Sequence, residues 1–401
     1  MTLFFYEMKK LLLNKSRLIL LAVIFIICTV MGLMGAEGSF AFRRSADYSE
    51  YIRLVSENSG KFDPVQFAES KVISEATEAE YRKGNEDGFF MYLHRNPIQK
   101  FHSDYTKFGK IVHEYWYGSE YQDQESIMGV YPIQEKLKQL SGKKDTYEYR
   151  YYKNRLDTEL SQGEPVFQDT LFWNNFFLAF DPSRVAFLLL MFLSFIISPV
   201  FTQEVKTDMD SIILCSAKGR REIVTAKLLS VCAASTVLTV IFFLGVFTGT
   251  YIFNGNINGF DAPARCLPGF TWTALDMTVG GVAMLGVVWL ILVAMAFGLA
   301  ICLISAKLKN QSATFGLGVS LVLTFSLLGF LRDDLKKMFW PLVDFNHVAL
   351  SIYSSVFGGV KAYNVFGIPV SYGALAFVVC LALGAGAALL TYIAQKKRSV
   401  V

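Results

Sequence analysis

The chain has 401 residues, of which 53% are hydrophobic, 15% aromatic and only 18% charged, too apolar for an ordinary soluble domain of this size. Its formal net charge of +4 gathers into no basic stripe or recognisable binding module, which sets nucleic acid aside. Five of the six cysteines fall in or beside apolar segments, and Cys266 alone lies in a loop, so no disulfide framework supports the charged region.

Residues 1–17 read as a cytoplasmic interfacial helix. Phe4, Met8, Leu11 and Leu12 share one face, and Glu7, Lys10 and Asn14 another. The first uncharged stretch, 18–36, is longer than a secretory signal core and has only a weak small-residue cleavage pattern, so it reads as the first span.

Residues 37–184 carry 24 acidic and 19 basic side chains and read as a separate, mostly helical domain. One predicted helix, 64–83, places Val65, Ala68, Val72, Ala76 and Ala79 near helical spacing. A second, 132–160, carries Ile133, Leu137 and Leu140 and is interrupted at Ser141-Gly142. The two are expected to pair antiparallel, with shorter pieces between them.

Thirteen of the nineteen tyrosines lie between Tyr48 and Tyr152. They suit a domain core and a collar at the membrane surface, or else a surface for an amphipathic ligand. His94, His102 and His113 have no standard metal-ligand spacing, and His113-Glu114 lacks the second histidine of a zinc-protease helix. They read as packed or solvated, as does His347.

Beyond this domain come spans at 185–203, 228–251, 277–306, 311–331 and 372–394. Between the last two, 333–370 includes an uncharged run of 16 residues (345–360), rich in serine, which suits a re-entrant or interfacial element. The expected fold class is therefore an all-α membrane protein of six transmembrane helices, with an extracytoplasmic domain between spans 1 and 2.

With the N-terminus inside, cytoplasmic segments hold fourteen Lys and Arg, against five in the short outer loops. This places both termini in the cytoplasm of a cell-membrane protein and 37–184 outside. Asp276 is expected to cap the fourth span, and Gly280, Gly281, Gly384 and Gly386 allow close helix contact or kinks.

Segment 204–227 joins spans 2 and 3. Met209, Ile212 and Ile213, with Cys215 or Ser216, can form one face of a short amphipathic helix that Lys218-Gly219 ends in a tight turn. Arg220 to Lys227 then starts the helix of span 3. Physics alone allows a handle for a cytoplasmic protein or a set of basic anchors for anionic lipid.

In order and spacing, Glu204, Ile213-Leu214-Cys215-Ser216, Gly219-Arg220-Arg221, Ile223-Val224 and Ala226-Lys227-Leu228 resemble the corresponding loop of type-2 permeases of ATP-binding-cassette transporters. Asp208 stands where a glycine is common, and no Thr-Pro precedes the turn. The amphipathic N-terminal helix is a second point of resemblance.

The resemblance implies a bacterial exporter subunit driven by a separate cytoplasmic ATP-binding subunit, and a second permease copy or related permease to complete the pathway. It implies coupling through Glu204, Ser211, Ile212, Lys218, Gly219, Arg220, Arg221 and Glu222, and through Phe4, Met8, Lys9, Lys10 and Leu11 of the interfacial helix. ATP and Mg would be bound by the partner, because this chain has no phosphate-binding loop: Gly358-Gly-Val-Lys361 lacks both the spacing and the hydroxyl residue. The other function classes are a non-transporting sensor, whose outer domain binds a ligand, and an intramembrane enzyme. The enzyme has no catalytic residue pair in any span to recommend it.

Overall fold

A computed structural model describes residues 2–34, 46–82, 96–118, 128–180, 184–207, 209 and 219–396. Of the described residues 79% are helical, and among them are six helices long and apolar enough to cross a membrane.

The first helices are α1 (Thr2–Leu12) and α2 (Lys15–Met34). The inserted domain contains α3 (Ala46–Glu57), α4 (Pro64–Arg82), α5 (Pro97–Ile111), α6 (Val130–Gln139), α7 (Tyr147–Gln162) and α8 (Leu171–Phe180). Asn96 and Thr146 cap α5 and α7 by accepting from the amides of Gln99 and Tyr149. A two-residue ribbon pairs β1 (Gly60–Lys61) with β2 (Val166–Phe167) and brings both ends of the domain together.

The second span is formed by α9 (Arg184–Ile197) and α10 (Pro199–Lys206). Then come α11 (Val224–Asn254), α12 (Val279–Leu308) and α13 (Gln311–Leu328). Short helices α14 (Asp333–Met338), α15 (Trp340–Asp344) and α16 (His347–Ser351) follow. An antiparallel hairpin, β3 (Ala362–Val365) and β4 (Ile368–Ser371), leads into α17 (Tyr372–Lys396).

Spans 2, 3 and 4 form the centre of the bundle, 67%, 50% and 56% buried, whereas spans 1, 5 and 6 are 22%, 17% and 22% buried. The peripheral helices thus present apolar side chains outward, as hydrocarbon allows and water does not. Span 1 packs on span 3 through small residues: a Cβ on Gly249 would stand 2.0 Å from the carbonyl oxygen of Thr29, and one on Gly32 would stand 2.4 Å from that of Val246. With Gly245 facing Cys28, this is a small-residue seam at a spacing of four, the arrangement that lets two membrane helices approach backbone to backbone.

Several expectations are corrected. Thr278, and not Asp276, caps the fourth span, accepting from Gly281 N at 3.1 Å. The predicted apolar face of α4 is exposed from Val65 to Ala79, and the buried face carries Phe67, Ser70 and Thr77. Phe67 packs into the domain core with Phe101 and Tyr105 of α5, and this contact turns the helix accordingly. The expected pairing of the two long domain helices is replaced by two local ones, α4 with α5 and α6 with α7.

The apolar α8, Leu-Phe-Trp-Asn-Asn-Phe-Phe-Leu-Ala-Phe, is mostly buried. It inserts against α11, with Phe176 edge-on to Phe243 at 5.3 Å. Segment 333–370 contains three short α-helices, the π-helical turn Ser354–Gly358 and the hairpin, none long enough to cross, and Trp289 of the fourth span donates to the carbonyl of Leu350 at 2.7 Å.

Candidate functional site

At the end of the bundle that carries the N-terminus, four charged side chains from three elements meet below the surface. Lys227, in the first turn of α11, is 1% exposed. Its Nζ donates to Glu204 Oε1 at 2.6 Å and to the carbonyl of Val200 at 2.5 Å, and lies 3.5 Å from Glu7 Oε2. Lys10 of α1 reaches the same carboxylates, at 3.3 Å from Glu204 and 3.7 Å from Glu7. The Phe201 ring covers the Lys227 ammonium at 5.0 Å. Two cations face two anions, so the group is neutral as a whole and each buried charge has a partner, the condition under which such a cluster is tolerated.

Local sequence explains each position. Pro199 starts α10 where its missing amide is no loss, and one further turn places Glu204 toward the bundle. Helix α1 has Leu11 and Leu12 buried on the bundle, and Glu7, one turn earlier, is carried inward with them. The expected polar face of α1 therefore points the other way: Glu7 is buried, Lys10 is half-buried, and the exposed side chains are Leu3, Phe5, Tyr6 and Lys9. Phe4 and Met8 are half-buried, and the Phe4 carbonyl accepts from the Ser230 hydroxyl at 3.3 Å.

Of the predicted coupling residues, Glu204 and Lys10 are brought together here. Ser211, Ile212 and Lys218 lie outside the described residues. Gly219 and Arg220 belong to the π-helical turn Gly219–Ile223, which leads directly into α11, and Arg221 and Glu222 are exposed on it. Arg220 to Lys227 thus starts the third span as expected.

Sequence reasoning missed Glu7 and Lys227 as partners. Glu7 was placed only on a polar face with Lys10, and Lys227 stood out within Ala226-Lys227-Leu228 and as the last charge before a long uncharged run, which reads equally well as a topology anchor.

A second buried cluster ties the inserted domain to the opposite end of the bundle. Arg155 of α7 and Arg265, in the loop between spans 3 and 4, both pair with Glu159, whose side chain is 1% exposed. Arg265 also donates to the carbonyls of Thr271 and Gly163, and Arg155 donates to that of Trp272 at 2.8 Å. Burial pushes the Glu159 carboxyl up against the pull of the two guanidiniums, and it holds both arginines below their ordinary value. Nearby, the Tyr151 hydroxyl donates to the Val360 carbonyl at 2.8 Å.

In the domain core, Tyr51, Val55, Phe67, Phe101 and Tyr105 pack together. His102 is buried there with Nδ1 3.0 Å from the Ser70 hydroxyl, and His113 packs its ring on Phe62 and Phe67. His94 lies outside the described residues. Among the described residues, no cluster of three or more His, Cys, Asp or Glu side chains could hold a metal ion. Neither a protein-family model nor a curated protein matches the chain.

Proposed function

We propose that this chain is the permease subunit of an ATP-driven exporter of the ATP-binding-cassette type, coupled to a separate cytoplasmic ATPase through residues 204–227. The observation that carries this reading is the neutral cluster of Glu7, Lys10, Glu204 and Lys227. It joins the N-terminal helix, the end of span 2 and the start of span 3, the elements that bracket the exposed Arg221-Glu222 turn. A push delivered to that turn moves a helix backbone that continues unbroken to Asn254. Buried ion pairs of good geometry resist separation, so the three elements move as one block and do not flex locally.

Under this reading both termini face the cytoplasm, and residues 37–184 lie outside. ATP and Mg are held by the partner, and two six-span halves enclose the pathway. The substrate is moved by rocking of those halves between inward and outward access.

The test is affinity purification of the full chain from its native membranes, followed by an ATP hydrolysis assay. Vanadate-sensitive hydrolysis should copurify and disappear with the double charge reversal Arg220→Glu, Arg221→Glu. A stable complex without hydrolysis would overturn the transport reading in favour of a sensor that signals to its partner.

A further inference from the structure

Where α7 of the inserted domain meets the start of the sixth membrane helix, a cavity of about 280 Å³ opens between the domain and the bundle. Its walls are contributed by α7, by Ala274 and Leu275 of the loop between spans 3 and 4, by the stretch from Val356 through β3, and by β4 with the first turn of α17. Val356, Phe357 and Tyr372 make much of that lining apolar. The volume lies just under the range of about 300–1,000 Å³ typical of small-molecule sites, enough for a headgroup and the start of a chain.

The cationic groups on this cavity are Arg155 and Lys361, and they differ. Lys361 is neutralised by Asp344 at 2.7 Å. Arg155 is 6% exposed, shares one carboxylate with Arg265, and leaves the buried cluster with an excess positive charge. Its contacts to Trp272 and Glu159 both run through Nη2, and its Nε has no hydrogen-bond partner. A buried cation without its full set of acceptors is costly unless an anion completes it. The site lies at the end of a membrane helix, beside the stacked rings of Trp340 and Tyr363, 4.9 Å apart, where amphipathic molecules collect.

We propose that this cavity binds the acid group of an anionic amphipath, with Arg155 as the partner of the phosphate or carboxylate and the apolar walls holding the start of its chain. The inference needs only that the six helices cross the bilayer, and it stands apart from the transport reading. The anion completes the coordination of Arg155, and the chain displaces water from Val356 and Phe357.

The experiment uses the full chain, delipidated in neutral detergent and studied by native mass spectrometry. It is titrated with a monoacyl phosphate, the phosphocholine of the same chain length, and inorganic phosphate. A charge-assisted contact predicts at least about tenfold tighter binding of the monoacyl phosphate than of the phosphocholine.

Arg155→Met leaves Glu159 paired with Arg265 and should abolish that preference. Ala274→Trp, at an exposed lining residue with no charge, should block the cavity while leaving the ion cluster intact. Should Arg155→Met fail to fold, Ala274→Trp still decides.

Nanodiscs containing phosphatidylglycerol in phosphatidylcholine distinguish the source. Retention of phosphatidylglycerol lost in Ala274→Trp identifies a membrane lipid, and binding of the soluble monoacyl phosphate alone identifies a transient amphipath. Equal binding of anionic and neutral amphipaths, binding unaffected by Ala274→Trp, or inorganic phosphate binding as tightly as its acylated form would overturn the proposal.

Discussion

Lys227 shows how one side chain can decide the arrangement of three elements. With 1% of it exposed and two carboxylates around it, replacement by methionine removes the main partner of the half-buried Glu204 and one partner of the buried Glu7. Breaking a buried pair from one side costs about 3–5 kcal/mol, so Lys227→Met should lower the thermal midpoint of the purified chain sharply. Adding Glu204→Gln to that variant should restore part of the loss, and a double-mutant cycle with no coupling would refute the cluster's role. His102 makes a second residue-scale case. Burial holds its imidazole below the ordinary value of 6.5, more than the nearby Glu69 raises it, so the folded domain keeps it neutral. The unfolded chain then binds the proton more readily, and the stabilising contribution present above pH 6.5 is lost as pH falls through the lower folded value. The thermal midpoint of the wild-type chain should therefore decline as pH falls below 6.5 more steeply than that of His102→Gln.

Element by element, helix existence was legible and helix facing was not. Each of the six uncharged runs became a helix long enough to cross a membrane, because hydrocarbon demands internal satisfaction of every backbone group over that length. Which face turned inward depended on partners remote in sequence. On α4 the Ala and Val stripe lost to Phe67, which packs against residues of α5, and on α1 the expected solvent face with Glu7 and Lys10 turned toward Lys227 and Glu204. The glycines singled out in spans 4 and 6 proved unequal to those of the seam: a Cβ on Gly386 would meet nothing within 4 Å, whereas one on Gly32 or Gly249 would collide with the backbone of the facing helix. Gly249→Ala forces α2 and α11 apart and should destabilise the chain by about 1–3 kcal/mol, the usual range for overpacking. Gly386→Ala, measured by the same thermal unfolding assay, should leave the midpoint unchanged.

For the whole molecule, composition and the spacing of charges determined the number of membrane helices, the position of the inserted domain and the absence of a crossing in 333–370, since these follow from how each local stretch partitions between water and hydrocarbon. A stretch of twenty uncharged residues carries that information within itself. The two buried ion clusters do not, because Glu7 and Lys227 stand 220 residues apart and Glu159 and Arg265 stand 106 apart. The same holds for the insertion of α8 among the membrane helices and for the cavity beside Arg155, whose walls come from four separate segments. Only the tertiary structure settled which charges were removed from water, because the penalty for burying a charge is met by a partner whose position depends on how all the helices pack.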